Sequence, residues 1–253
     1  MPTPNPVAFS IFGIDIMWYG IIIAAAMVLA VVIIYRRAPI HKISSEKTLD
    51  FVLVCIPAGI IGARLYYVAF NWEYYSGDIL KIINIRGGGL AIHGGLIFGF
   101  IAAVLLCFLW DIKPLNLLDL TVPAVAIAQS IGRWGNYFNQ EAHGGPTDLP
   151  WAIEVKGQMV HPTFLYESIW CFIIFLILIF VDNNRKFEGQ TFLLYGMLYS
   201  FGRFFIEGLR TDSLMIGPIK QAQLLSASVF IIFLIAYILM IRRKKKYGKR
   251  IFY

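Results

Sequence analysis

Seven stretches of this chain are each long enough to cross the hydrocarbon core of a bilayer as a helix, which takes about 20 mostly apolar residues. Residues 14–35, 49–70, 89–110, 163–181 and 221–241 do so with almost no charge. Residues 114–136 and 189–207 have the length but are interrupted by polar side chains. Composition points the same way. Of 253 residues, 58% are hydrophobic and 15% charged, against about 25% charged in an ordinary soluble domain. The mean hydropathy is +0.70. A soluble domain could not cover so apolar a surface, so the predicted fold class is an all-α integral membrane protein with seven transmembrane helices.

Loop charges set the expected orientation. Fourteen of the 22 Lys and Arg residues fall in the segments after the first, third, fifth and seventh runs, and five in the segments between. Arg64, Arg133 and Arg203 lie within or at the ends of runs. The positive-inside rule then puts the N-terminus outside and the C-terminus in the cytoplasm. Seven of the cations, from Arg242 to Arg250, equal the whole net charge of +7. They read as a cytoplasmic topology anchor (residues 242–253), and no nucleic-acid surface is expected. The larger outer connection, about 137–162, forms a small external head, and the whole of 1–253 reads as one transmembrane domain. No Lys or Arg precedes Arg36, so the first run lacks the basic start of a cleaved signal peptide. Cys55, Cys107 and Cys171 each sit in an apolar run with no metal-ligand spacing. They read as small hydrophobes, and no metal site is expected.

Ionisable residues inside membrane runs are costly, and four groups of them stand near the predicted outer ends. The segment Gly132-Arg133-Trp134-Gly135-Asn136-Tyr137-Phe138-Asn139-Gln140-Glu141-Ala142-His143-Gly144 leaves the fourth run. Arg133 offers a planar fork of donors suited to a phosphate; it could equally snorkel from a helix end. Gly87 to Gly95 encloses His93, which is either a packing residue or a desolvated base. Tyr199, Arg203, Glu207 and Arg210 are spaced by four, four and three, along one helix face. As a self-neutralising ladder these would leave one arginine uncompensated, which invites an anionic ligand. His161-Pro162-Thr163-Phe164-Leu165-Tyr166-Glu167 opens the fifth run. Its buried Glu167 needs a cationic partner, and the arginines are candidates. Asp119 and Arg64 form a possible second polar set with a structural role.

Together these residues resemble the prolipoprotein diacylglyceryl transferase family. Residues 132–144 match its signature, Gly-Arg-x-Gly-Asn-[aromatic]-x-Asn-x-Glu-x-x-Gly, at every fixed position. The resemblance extends to Trp18-Tyr19-Gly20, Gly62-Ala63-Arg64-Leu65-Tyr66-Tyr67, His93-Gly94-Gly95, residues 161–167 and Tyr199 to Arg210. It implies a multi-pass enzyme of the bacterial plasma membrane with its site near the outer leaflet. Such an enzyme moves diacylglyceryl from phosphatidylglycerol to the lipobox cysteine of prolipoprotein signal peptides and releases sn-glycerol 1-phosphate. By motif, His93, Arg203, Arg133, Tyr19, Asn136 and Tyr199 are the implied catalytic residues. Arg133, Arg203, Asn136, Gly144, Arg210 and Glu141 are the implied phosphatidylglycerol contacts. Glu167, Asp119, Arg64 and Glu207 are the expected supporting polar residues.

The implied reaction is displacement at a glycerol carbon by sulfur. A thiol has a pKa of about 8.5 and reacts as thiolate, so a proton acceptor is needed. His93 is the candidate; Arg203 or Glu207 could orient the thiol instead, or the phosphate could take the proton. No cofactor is expected, because the phosphate is already a leaving group. The rival readings fit less well. A transporter site favours the midplane and repeat interfaces, whereas these polar residues gather at helix ends and no repeat is visible. A hydrolase lacks support, since no Gly-x-Ser-x-Gly is present. A non-catalytic scaffold would show polar residues that pair off completely.

Overall fold

The computed structural model describes residues 4–85 and 88–247. Arg86, Gly87 and the end of the basic tail, with Lys249 and Arg250, lie outside the described residues. The chain divides into two compact units, Met1–Ile34 with Leu118–Tyr253, and Tyr35–Leu117.

The first unit opens with an antiparallel hairpin, β1 (Val7–Ile11) and β2 (Ile14–Met17), that leads without a linker into α1 (Trp18–Arg37). Hydropathy places residues 14–17 in the first membrane run. The tight turn at Phe12 and Gly13 pairs them with β1 instead, so the helix begins at Trp18. Arg36 and Arg37 end α1, where cations complement the helix dipole.

The second unit holds α2 (Ser45–Phe70), the short helices α3 (Trp72–Tyr75) and α4 (Ile79–Ile83), and α5 (Ile92–Leu109). Ser44 caps α2 by accepting from the Lys47 amide at 3.2 Å. α2 and α5 pack at Gly62 and Gly94, where a Cβ on either would stand within 2.3 Å of a neighbouring atom. Only glycine permits that approach. The buried Arg64 ties down the loop between these helices. It donates to the carbonyls of Lys81, Ile82, Gly88 and Gly89 at 2.6–2.9 Å, and its guanidinium lies 4.9 Å from the Tyr75 ring centroid. Arg64 thus braces the backbone of its own unit.

α6 (Pro114–Asn139) begins with proline at a position that suits it. The head carries the hairpin β3 (Ile153–Val155) and β4 (Gln158–Val160). α7 (Thr163–Asn183), α8 (Gln190–Leu209), the hairpin β5 (Met215–Ile216) and β6 (Ile219–Lys220), and α9 (Gln221–Tyr247) complete the chain. Val122 and Ala126 of α6 and Ile174 and Leu178 of α7 form a buried core under Phe192, Tyr195, Leu198 and Tyr199 of α8. α8 also packs along α9.

Asp119, fully buried in α6, serves the start of α8. Its carboxylate accepts the amides of Gly189 at 2.6 Å and Phe192 at 2.9 Å, with Arg185 at 3.8 Å. Those amides have no partner within the helix, so Asp119 acts as an N-cap from 70 residues away. The buried Asp182 sits beside it, accepting from Thr191 at 3.1 Å with Arg185 at 3.7 Å.

Among the described residues, six helices (α1, α2, α5, α6, α7 and α9) are long and apolar enough to cross a membrane. α8 has the length, with 20 residues, but carries Gln190, Arg203 and Glu207. The protein is an all-α integral membrane protein.

Candidate active site

α6 does not stop where its apolar run stops. It continues to Asn139, so most of the Gly132–Gly144 segment is helical rather than loop. Gln140 ends it with φ 53°. Helical spacing turns Arg133 and Asn136 to one side, and the Arg133 guanidinium reaches Asn136 Oδ1 at 3.4 Å. Asn136 then donates to Glu141 at 2.9 Å, and Asn139 to the same oxygen at 3.4 Å. The signature is thus a short polar chain running from Arg133 to Glu141. Tyr19 of α1 lies against its back; a Cβ on Gly135 would meet that ring at 2.5 Å.

The centre of the site is one carboxylate, Glu167, just past the first turn of α7. Arg133 of α6 donates to its Oε1 at 2.7 Å and Arg203 of α8 to its Oε2 at 2.9 Å. The Tyr199 hydroxyl donates to Oε1 at 2.9 Å. Glu167 is buried, with 4% of its side chain exposed, while the arginines keep 24% and 17%. Three helices thus meet on one anion that uses both oxygens. Both arginines are engaged at both terminal nitrogens, Arg133 with Asn136 and Glu167 and Arg203 with Glu167 and Glu207, and each guanidinium has more N–H groups than these contacts use.

The α8 ladder forms as its spacing predicts. Glu207 lies 2.6 Å from Arg203 and 3.9 Å from Arg210. The expectation of one uncompensated arginine is corrected by Asp212, beyond the helix end. Arg210 donates to both Asp212 oxygens, at 2.9 and 2.7 Å. Those bonds hold the Asp212 carboxyl below its ordinary pKa and push the Arg210 guanidinium up. In this group three arginines face three carboxylates.

The head is stitched to the end of α8. The Gly145 amide donates to Leu209 O at 3.0 Å, Gly144 pairs with Arg210 as an isolated bridge, and Gly144 N donates to His161 O at 2.9 Å. A Cβ on Gly144 would meet His161 at 2.6 Å and Leu209 O at 3.0 Å, so the close passage demands glycine. Thr163 donates to Ala142 O. His161 faces the Tyr166 hydroxyl at 3.3 Å, which accepts from Trp151 at 2.8 Å.

His93 belongs to the second unit. It stands on the first turn of α5, just beyond the loop that Arg64 holds, with its ring centroid 6.3 Å from that of Tyr66.

Several supporting residues escaped the sequence reading. Lys220 donates to the carbonyls of Glu207, Gly208 and Arg210 at 2.5–3.0 Å, closing the end of α8. Tyr195 donates to Gln129 at 2.8 Å and stacks on Tyr199. Ser130, Ser168 and Trp134 share hydrogen bonds between α6 and α7. A lysine or serine near an apolar run gives no such signal; only the helical spacing of Tyr195 and Tyr199 could have hinted at one.

The chain is thus a multi-pass α-helical membrane protein in which α6, α7 and α8 meet on a buried glutamate paired with two arginines. A family model described as prolipoprotein diacylglyceryl transferase matches residues 6–240, and the chain belongs to that family. Its relatives include two at 51% identity. One, from Clostridioides difficile, is matched over 94% of this chain and 96% of its own length. The other, from Finegoldia magna, is matched over 95% and 96%. A third, from Clostridium novyi, is 46% identical over 96% and 98%. All three carry the name phosphatidylglycerol–prolipoprotein diacylglyceryl transferase.

Proposed function

We propose that this chain transfers the diacylglyceryl group of phosphatidylglycerol to the thiol of a prolipoprotein's lipobox cysteine, the first step of lipoprotein maturation. Its family membership and its relatives' names support this, and so does one feature of the site. Glu167 gathers Arg133 and Arg203 onto one carboxylate, and both guanidinium-bearing side chains stay partly exposed, at 24% and 17%, cations suited to a phosphate.

In this reading the cysteine sulfur forms a bond to a glycerol carbon while that carbon's bond to the phosphate oxygen breaks. The thiol proton leaves to a base, and sn-glycerol 1-phosphate departs. Charge grows on the phosphate in the transition state, where Arg133 and Arg203 stabilise it in a site of low dielectric. Asn136, Glu141, Gly144 and Arg210 shape the headgroup pocket, and Tyr19 and Tyr199 set the positions of the α6 and α8 donors. His93 is assigned as base, on its position at the glycine-flanked start of α5. Glu207, Asp119 and Arg64 support the framework.

The finer placement belongs to the same proposal. α8 counts as a seventh span, because 20 residues reach about 30 Å and Arg203 and Glu207 neutralise each other. The loop charges then put the N-terminus outside, the tail 242–253 in the cytoplasm, and the site near the outer leaflet of a bacterial plasma membrane. The whole of 1–253 is one catalytic domain, with the head near 137–162.

The test is purified protein, phosphatidylglycerol liposomes and a lipobox peptide, with mass spectrometry of the cysteine. Wild type adds one diacylglyceryl group in thioether linkage. Arg133→Ala and Arg203→Ala each lose about a hundredfold in rate; near-normal transfer by both removes the phosphate clamp. His93→Gln flattens the pH profile between 6 and 9, and an unchanged rate across that range removes His93 as base.

A further inference from the structure

The hairpin ahead of α1 has two unlike faces. Phe9 pairs with Ile16 and Ile11 with Ile14, while Ser10 pairs with Asp15. Cross-strand partners share a face and neighbours along a strand alternate. Phe9, Ile11, Ile14 and Ile16 therefore line one face. Ser10 and Asp15 occupy the other, joined by a 2.5 Å hydrogen bond. The apolar face has little protein cover: Phe9 and Ile11 are each 49% exposed and Ile14 58%.

The turn adds a second, independent observation. Phe12 and Gly13 form a two-residue loop with φ of 50° and 75°. That geometry favours Asn or Asp before Gly, and a bulky residue at positive φ is a marked outlier. Phe12 holds that conformation with its side chain fully exposed. Outliers of this kind point toward function at the strained residue, and an aromatic ring in open water gains nothing from being there.

The surroundings say what covers it. Between Pro4 and Tyr35 the sole charged residue is Asp15. The hairpin base is tied to the helix start, since the Trp18 amide donates to Pro6 O at 2.9 Å. Trp18 itself stacks on Phe138 at the end of α6. From Trp18 the chain enters a helix apolar enough to span a bilayer. Phe12 lies six residues before Trp18, within about 20 Å of the helix end at about 3.3 Å per residue. The apolar face is thus fixed next to the lipid surface that α1 enters.

We propose that the β1–β2 hairpin is an amphipathic lipid-docking element. Its Phe9–Ile11–Ile14–Ile16 face and Phe12 tip seat in the bilayer interface, with Ser10 and Asp15 toward water. Such seating would fix the height of Trp18 and Tyr19, and so of the α6 end they touch, relative to the headgroups. It does not depend on the transfer reaction.

Site-directed spin labelling tests it. Ile11→Cys, Phe12→Cys and Ser10→Cys are each made in the full chain with Cys55, Cys107 and Cys171 replaced by alanine. Each is reconstituted into liposomes of phosphatidylglycerol and phosphatidylcholine after gel filtration shows one symmetric peak. Accessibility to oxygen, which concentrates in lipid, is compared with that to a water-soluble nickel chelate. The expected result is oxygen preference at positions 11 and 12 and nickel preference at position 10. Nickel preference at positions 11 and 12 means the hairpin stands in water and overturns the proposal. Labels at 11 and 12 that are shielded from both reagents mean that protein covers the face, a second copy or another chain, and also overturn it. All three positions are exposed, so labelling does not disturb the core, and agreement between 11 and 12 guards against one aberrant variant.

Discussion

Glu167 carries more of the candidate site than either arginine. Removing Arg133 leaves Arg203 still paired with both Glu167 and Glu207. Neutralising Glu167 takes the shared anion from both: Arg203 keeps Glu207, while Arg133 is left beside the neutral Asn136. Breaking a buried pair by removing one partner costs about 3–5 kcal/mol. Glu167→Gln is therefore expected to lower the thermal midpoint in detergent by several degrees. It should also reduce lipid transfer at least as far as Arg133→Ala does. A Glu167→Gln protein with unchanged midpoint and turnover would show that the arginines are positioned by something else. Sequence reading identified Glu167 as a buried acid in need of a partner, and the arginines as candidates. It could not tell that one carboxylate serves both, because residues 133, 167 and 203 approach only through the packing of α6, α7 and α8. The same limit hid Asp212. Its partner Arg210 is two residues away, but their bond depends on how the chain turns after Leu209.

At the scale of elements, α8 is held from both ends. Asp119 caps its start across the bundle, and Lys220 and the Gly144–Gly145 segment of the head close its finish around Leu209 and Arg210. This clamping sets the rotation of α8, and with it the side on which Tyr199, Arg203 and Glu207 emerge. Losing an ordinary N-cap costs about 1 kcal/mol. Asp119 is buried, and its loss strands two amides and weakens the pairing of Arg185, which keeps Asp182, so about 2–3 kcal/mol is expected for Asp119→Ala. The measurement is thermal unfolding, alongside protease sensitivity of the 183–190 connection; no change in either would mean that α8 does not rely on this cap. The sequence ends the fourth run at 136, and the helix runs three residues further, to Asn139. Gly135 leaves room for the Tyr19 ring, which a Cβ there would meet at 2.5 Å, a contact that spacing along α6 does not show.

For the whole molecule the testable quantity is topology. With seven spans, the connection at 42–45 and the connection at 76–78 lie on opposite faces, and the end of α9 shares a face with the first. Ser45→Cys and Ser76→Cys, in a chain lacking native cysteines, are expected to react with an impermeant maleimide from opposite sides of sealed vesicles. Labelling of both from one side would remove the seven-span arrangement. The lysine and arginine asymmetry predicts this outcome by a rule about insertion. It holds whether or not α8 is apolar enough to insert unaided.

Hydropathy alone determined that the chain lives in lipid and where most helices run, because the bilayer imposes a length and a composition that no tertiary contact can override. The family resemblance carried by the signature segment marked Arg133, Asn136, Glu141 and Gly144 as expected headgroup contacts. Tertiary structure decided which charges neutralise which, that α6 carries the signature as helix, and that residues 14–17 turn back as a strand. Those outcomes depend on distances between residues far apart in the chain. Partner choice for a buried charge follows whichever opposite charge packing brings within about 3 Å, and spacing along one helix cannot supply that.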